Sequence, residues 1–313
     1  MAKRLVSGAI ALMLVWSTGA WADALDMTCE VKAAEGENYA RAFFRLWLPQ
    51  EADTLRGLVV LVPGLNENGL YLADVETWRV FAREERFGLV ACYFQGRLGR
   101  MYQLAGNGSA QGLLRALETF AAWGRREDLK DAPLLLWGHG AGGEYCYGFA
   151  AWAPERVIAF ASVRGQHYRS VPRSETWGVP AVLVAGEKDS LKRLQGMTNA
   201  FFRNRPRGAL WCLAIELDAH DEVGRSADLV IPFFKSVAAR RLPKMNRSLT
   251  YSDLEGIEES DGWVADIRTK EMASWNEYLG PRERAVWLPD AAFAQAWLEF
   301  TTSREPASRY YLR

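Results

Sequence analysis

Residues 134–143 read Leu-Leu-Leu-Trp-Gly-His-Gly-Ala-Gly-Gly, and this stretch decides the fold. Its apolar first half is typical of a strand buried on both faces of a parallel sheet. Its second half contains four glycines in six residues, and residues 143–152 continue as an apolar, helix-compatible segment. The stretch therefore predicts a buried strand, a very tight turn and a helix in immediate succession.

The same alternation of strands and helices extends outward on both sides. Strands are predicted at 28–31, 40–48, 57–62, 88–94, 133–137, 157–163, 180–185 and 209–217. Helices are predicted at 75–84, 109–123, 143–152 and 191–203. One more is predicted after His220, with Val223, Ala227, Val230, Ile231 and Phe234 on one face. This order indicates an α/β fold with a mostly parallel sheet and helices on both faces. Functional loops should gather at the carboxyl ends of the strands.

Residues 1–22 have the pattern of a secretory signal peptide. Lys3 and Arg4 precede an apolar run at 5–16, and Ala20-Trp21-Ala22 offers small residues for cleavage after Ala22. We therefore expect a periplasmic or secreted protein. A membrane anchor and a buried N-terminal helix remain the alternatives. The mature chain is expected to comprise one domain at 23–242 and an extension at 243–313 packed on it.

Composition excludes several classes of function. Acidic and basic residues are equal at 38 each, so no basic excess indicates nucleic-acid binding. No second long apolar run indicates a membrane span. No His/Cys cluster indicates a metal site. The four cysteines, at 29, 92, 146 and 212, are either disulfide-bonded or buried free thiols. The sequence does not determine the oligomeric state.

The tail from Pro243 is rich in charge and contains tryptophans at 263, 275, 287 and 297. Apolar rings at this density are expected to pack against the main domain. Binding of a substrate or carbohydrate by the same rings is the alternative.

The glycine-rich turn fits two chemistries. Gly138, Gly140 and Gly143 match the dinucleotide fingerprint G-x-G-x-x-G between a strand and a helix. No acidic residue ends the next strand, however, and the motif lies deep in the chain. The alternative is a nucleophile elbow, G-x-S-x-G, in which Gly138 and Gly142 flank a missing serine at Gly140. Glycine accepts the positive φ of that position at no steric cost, so the turn survives the loss of the side chain.

The elbow also carries a family resemblance. Gly-His-Gly-Ala-Gly-Gly at 138–143 is similar to the Gly-His-Ser-Ala-Gly-Gly elbow of α/β-hydrolase esterases, with one substitution. The chain resembles secreted bacterial α/β-hydrolases distantly similar to polymer-ester depolymerases and feruloyl esterases. The resemblance covers residues 57–241 and is weaker in the tail. It implies the α/β-hydrolase fold, a small-molecule or polymeric ester-like ligand and no cofactor.

The remaining catalytic residues are assigned by that resemblance. The family places its acid and then its histidine after later strands, which correspond to Asp189 and His220. Asp189 would orient and stabilise the imidazole. As alternatives, Asp189 caps the helix at 191–203 and His220 is a surface histidine. Asp218 and Asp221 are weaker candidates for the acid.

Two backbone N–H groups are expected to form an oxyanion hole. One belongs to Ala141, directly after the nucleophile position. The other lies in the Pro-Gly-Leu-Asn loop that follows an early strand, where Leu65 is the candidate donor. His167 and Tyr168 follow another strand and are weaker candidates for lining the pocket. Ser109 lies among glycines but is interpreted as a helix cap.

Without a serine Oγ, no acyl-serine intermediate can form. Three hypotheses follow: a degenerate hydrolase that only binds its ligand, weak hydrolysis by a water that His220 and Asp189 activate, or an engineered Gly140 in an otherwise active esterase. A non-catalytic ligand-binding module is the rival class of function.

Overall fold

The computed structural model describes residues 25–50, 52–169 and 174–304. The predicted signal peptide lies outside these residues. The central sheet has eight strands in the order β1-β2-β4-β3-β5-β6-β7-β8. They are β1 (Leu25–Lys32), β2 (Tyr39–Leu48), β3 (Gly57–Val62), β4 (Phe87–Gly96), β5 (Leu134–His139), β6 (Val157–Val163), β7 (Ala181–Gly186) and β8 (Trp211–Glu216).

Only β2 runs in the opposite direction to the other strands of this sheet. β1 pairs antiparallel with β2, and β2 pairs antiparallel with β4. All pairs from β4 through β3 and β5 to β8 are parallel. The strands β3, β6 and β7 are buried at every residue, which explains why their sequences are apolar without alternation. The predicted mostly parallel α/β sheet is confirmed.

Five helices are associated with this sheet: α1 (Glu76–Glu85), α2 (Ser109–Gly124), α3 (Ala141–Trp152), α4 (Leu191–Asn204) and α5 (Ser226–Arg241). Trp137 and Gly138 are neighbours on β5, so they point to opposite faces. Trp137 packs against Trp78 of α1 with ring centroids 5.7 Å apart. Gly138 instead meets the backbone of α3. Helices therefore cover both faces, as the sequence predicts.

The chain beyond residue 242 contains β9 (Trp263–Ala265), β10 (Met272–Ser274), β11 (Val286–Leu288) and α6 (Ala291–Thr302). The three strands form a separate small sheet in the order β10-β9-β11. Trp297 of α6 is buried, and its indole N–H donates to the carbonyl of Leu213 in β8 at 3.0 Å. At least one of the predicted aromatic side chains thus packs on the main sheet.

Two details of the sequence interpretation are wrong. Ser109 does not cap α2: Gly108 occupies the cap position, and Ser109 lies buried inside the first turn. The Ser109 hydroxyl donates to the carbonyl of Tyr102, and its N–H donates to Asn38. The helix after His220 begins only at Ser226, so Val223 lies before it.

All four cysteines are buried free thiols. Burial raises the pKa of Cys29 to about 12. The sequence left disulfide bonds and buried free thiols as alternatives, and the structure has free thiols. No helix within the described ranges is long and apolar enough to span a membrane.

Candidate active site at the Gly140 turn

Gly140 joins β5 to α3 in a conformation that side chains rarely adopt. Its φ is 54° and its ψ is −118°. The N–H of Gly140 donates to the carbonyl of Val163 at 2.8 Å, and its own carbonyl accepts from the N–H of Glu144 at 3.2 Å. These bonds fix the turn between the end of β6 and the first turn of α3. A Cβ placed on Gly140 would meet no atom within 4 Å.

The flanking glycines are required for a different reason, which is crowding. A Cβ on Gly138 would lie 2.2 Å from the carbonyl carbon of Gly142. A Cβ on Gly142 would lie 2.1 Å from the carbonyl oxygen of Val62. The turn therefore packs directly on β3 and α3, while the position of the central side chain remains open. This backbone geometry is compatible with the predicted nucleophile elbow at 138–142.

The position of the turn in the sheet argues against a dinucleotide site. A dinucleotide fingerprint follows the first parallel strand of its sheet. Here the glycines follow β5, which is the third parallel strand after β3 and β4.

Two backbone N–H groups are the predicted oxyanion donors, those of Leu65 and Ala141. The N–H groups of Leu65 and Ala141 have no hydrogen-bond acceptor among the described residues. The loop that carries Leu65 is held by its neighbours. The N–H of Gly64 donates to the Glu67 carboxylate at 3.0 Å, and Asn66, with φ 56°, accepts from the N–H of Gly96 at 2.8 Å. Both predicted oxyanion donors are thus free, and one is on a braced loop.

Asp189 follows β7, as predicted for the acid, and its side chain is only 3% exposed. Its Oδ1 accepts from the N–H of Ser190 at 2.6 Å and lies 3.4 Å from a guanidinium nitrogen of Arg193. Asp189 is not the cap of α4, because the Ser190 side chain fills that role by accepting from the N–H of Arg193. In this structure the partner of the Asp189 carboxylate is therefore an arginine.

His220 lies on the loop after β8 and is exposed. Its backbone is close to the Asp189 loop, because the N–H of Lys188 donates to the carbonyl of Ala219 at 2.8 Å. Within the described part of the chain, its imidazole forms no hydrogen bond or ion pair with Asp189 or any other residue. The structure thus places the two predicted residues on adjoining loops without joining their side chains, and their catalytic roles stay predictions.

Arg193, and not His220, is the charged partner of Asp189. It bridges Asp189 and Asp221, with a guanidinium nitrogen 3.1 Å from the Asp221 carboxylate. This contact holds the pKa of Asp221 below its usual value. Asp218, the other alternative acid, pairs instead with Lys188 at 2.7 Å. The sequence interpretation missed Arg193, and its only signal was its position one helical turn after Asp189.

His139 precedes Gly140, and its imidazole contacts the loop after β8. Its Nε2–H donates to the carbonyl of Asp221 at 2.7 Å. Burial lowers the pKa of His139, so the imidazole is neutral near pH 7. This bond ties the elbow to the loop that carries His220.

A cavity of about 210 Å³ lies beside the elbow. Its lining joins residues around the Leu65 loop to others from α1, β5 and the β8 loop. They are Pro63, Glu67, Tyr71, Leu72, Val75, Trp137, His139 and Val223. Most of these groups are apolar, so the cavity suits an acyl chain better than a charged ligand.

His167 and Tyr168 follow β6, next to the elbow. The His167 Nδ1 lies 3.2 Å from Oε1 of Glu144 in α3. Tyr168 is buried, and its hydroxyl bonds to the Ser162 hydroxyl at 2.8 Å. Glu144 was not singled out from the sequence, because a glutamate in the first turn of a helix is ordinarily a solvent-exposed residue.

No protein-family model matches the chain, and no curated protein sequence matches it. Solved structures do. LpqC, a poly(3-hydroxybutyrate) depolymerase from Bordetella parapertussis, aligns with a TM-score of 0.53 at 15% identity over 71% of this chain and 92% of that one. An esterase from Pyrobaculum calidifontis aligns with a TM-score of 0.49 at 12% identity, over 71% and 86%.

The fold is therefore that of the α/β-hydrolases, a class that includes esterases and depolymerases. At this level of identity the comparison extends to the fold and no further. Within the described ranges, no group of three metal-ligating side chains is present.

Proposed function

We propose that this chain binds the carbonyl group of a carboxylic ester at the Gly140 turn without forming an acyl-enzyme. The observation that carries the proposal is the conformation of Gly140, with φ 54° and ψ −118°, together with the open space at its side-chain position. An esterase elbow is retained, and the atom that attacks the ester is lost.

The free N–H groups of Leu65 and Ala141 would receive the carbonyl oxygen. Such donors act on an ester whether or not a nucleophile is present, because they recognise the polarity of the carbonyl. The apolar cavity beside His139 would take the acyl chain. A small-molecule ester and the end of a polyester chain both present these two features.

A second candidate function is weak hydrolysis. In it, a water in the open space over Gly140 is activated by His220, with Asp189 as its partner, beside the same oxyanion donors. Triads that lack a member retain low activity through such remaining groups. The ion pair between Asp189 and Arg193 opposes this candidate and favours binding alone.

The test is hydrolysis of short- and medium-chain p-nitrophenyl esters by three proteins: the chain itself, Gly140→Ser, and Gly140→Ser with His220→Ala. We expect the chain itself to be inert or nearly so, Gly140→Ser to gain activity, and the double variant to lose that gain. If Gly140→Ser is folded but inert, and remains inert when Arg193→Ala frees Asp189, the carbonyl site is refuted. In the chain itself, residual turnover that His220→Ala abolishes would favour weak hydrolysis.

The expected signal peptide would direct this function to the periplasm or the medium. Amino-terminal sequencing of the mature protein tests it, since cleavage should expose Asp23.

A further inference from the structure

The loop between β8 and α5, residues 217–225, carries His220 and is closed at its base by a buried carboxylate. Glu216 is the last residue of β8 and is 3% exposed. Its Oε1 accepts from the N–H of Arg225, at the other end of the loop, at 2.7 Å. A Cβ on Gly224, which has a φ of 56°, would lie 2.6 Å from both carboxylate oxygens. Both ends of the loop are therefore fixed at the Glu216 carboxylate.

The Glu216 carboxylate is itself held from the neighbouring strands. Its Oε2 accepts from the guanidinium of Arg164, a buried residue directly after β6. Arg164 also donates to the carbonyl of Val184 in β7, through its N–H at 2.9 Å and through its guanidinium at 3.2 Å. Removing one partner of a buried charge pair is strongly destabilising, because the remaining charge is left uncompensated. The anchor of the loop is therefore part of the central sheet.

The C-terminal extension, the chain beyond residue 242, contacts the end of the same loop. The guanidinium of Arg225 donates to the carbonyls of Phe300 at 3.3 Å and Ser303 at 2.8 Å. These carbonyls lie at the end of α6, where a helix leaves its C=O groups without intrahelical partners. The guanidinium also lies over the Phe300 ring, 5.2 Å from its centroid. Arg225 thus joins the end of α6 to the base of the loop.

A second contact from the extension reaches the beginning of the loop. Nε of Arg304, two residues after the end of α6, lies 3.2 Å from Oδ2 of Asp218. His220 lies between the two contacts, two residues after Asp218 and five before Arg225. Its imidazole has no partner among the described residues, so its position depends on the backbone of the loop.

We propose that the end of α6 positions His220 at the carbonyl site, with Arg225 and Arg304 as the positioning residues. The effect on hydrolysis rests on the proposed function, because it requires His220 to act on an ester bound at Gly140. The control of the loop by the extension does not require this. The C-terminal extension is then part of the candidate active site and not only a packing element.

The first experiment is NMR spectroscopy of the histidine side chains in the full chain, which contains three histidines. The His220 signal is assigned by its loss in His220→Gln. We expect Arg225→Ala to shift and broaden the His220 signal, because the loop loses its contact with α6. The His167 signal should stay unchanged, because this residue lies beside Glu144 on another loop. Arg225→Lys keeps a cation at the end of α6 and should give a smaller shift.

Amide hydrogen exchange measures the same effect on the backbone. The amide at position 225 should exchange about tenfold faster in Arg225→Ala, the effect of losing a hydrogen bond to a charged group. Arg304→Ala should accelerate the Asp218 amide by about two- to fivefold, as expected for an exposed ion pair. Arg247→Ala is the matched control for Arg304→Ala, because Arg247 forms its ion pair with Asp253 inside the extension, at 2.6 Å. It should change neither amide.

The third measurement is hydrolysis of p-nitrophenyl butyrate in the Gly140→Ser background. Adding Arg225→Ala should lower kcat about tenfold or more and change KM little, because a displaced base slows the chemical step without removing the ester site. If Gly140→Ser is inert, the proposed function fails, and the NMR and exchange measurements still decide whether α6 positions the loop.

An unchanged His220 signal in Arg225→Ala would overturn the proposal. Equal acceleration of exchange at position 225 and in β3 would also overturn it, because it would show that Arg225 supports only global stability. If Arg225→Ala does not fold, Arg304→Ala decides alone. In that variant, an unchanged His220 signal together with unchanged exchange at Asp218 would overturn the proposal.

Discussion

Replacing Gly140 by serine tests two properties of the turn with one substitution. They are the backbone strain at Gly140 and the ability of the turn to support ester hydrolysis. A Cβ on Gly140 would meet no atom within 4 Å, so this atom causes no overpacking. The cost is that of holding a non-glycine residue at φ 54° and ψ −118°, about 1–3 kcal/mol. Domains of ordinary stability unfold at about 5–15 kcal/mol, so Gly140→Ser should remain folded.

The assay is urea unfolding followed by fluorescence, combined with hydrolysis of p-nitrophenyl acetate and butyrate. Gly99→Ser is the matched control, because Gly99 also has a positive φ, 71°, and open space around its Cβ position. Both variants should lose stability by a similar small amount, and only Gly140→Ser should gain hydrolysis. A much larger loss in Gly140→Ser would refute the open geometry of the turn. Gain of hydrolysis in both would refute the assignment of the site.

Three further predictions concern the surroundings of the turn. Gly142→Ala should destabilise by about 3 kcal/mol or more in urea unfolding, because its Cβ meets the backbone oxygen of Val62 at 2.1 Å. His139→Gln should flatten the pH dependence of stability. Burial lowers the pKa of His139 in the folded state, so its stabilising contribution is complete above about pH 6.5 and declines as the pH falls below it. Unfolding free energies on both sides of that pH test this, and an unchanged slope would contradict it. Arg193→Ala should free Asp189 to orient the histidine, and should raise ester hydrolysis when it is added to Gly140→Ser. Equal or lower kcat/KM in the double variant would count against that role.

Much of the sheet could be predicted from the sequence because burial on both faces leaves only apolar residues. β3 and β6 are bounded as predicted. Strand ends that contain polar residues or glycine are harder to predict. The strand predicted at 88–94 extends in the structure to Gln95 and Gly96, which pair with β2. That pairing depends on a neighbour distant in the chain.

The incorrect prediction of a cap at Ser109 also arises from contacts with residues distant in the chain. Ser109 resembles a helix cap by its neighbours in the chain, but its hydroxyl and N–H bond to Tyr102 and Asn38, which the fold brings to it. Local propensity for capping is overridden by burial.

The candidate site was predictable only where a motif fixes the backbone. The turn at Gly140 could be predicted from the spacing of its glycines, because each glycine is required for a physical reason. Gly138 and Gly142 leave no room for a side chain, and Gly140 has a positive φ. Side-chain pairings carry no such signature. Nothing in the order of residues indicates that Arg193 bonds to Asp189, or that Glu144 is buried beside His167.

The unoccupied space at Gly140 has a consequence for the evolutionary history of the chain. Glycine and serine are separated by a single base in the codon pair GGC and AGC, so the route between them is short in both directions. Because a Cβ on Gly140 would meet no atom within 4 Å, a serine at this position would need no compensating change in its neighbours. A single base change can therefore exchange glycine and serine at this turn without a second substitution nearby.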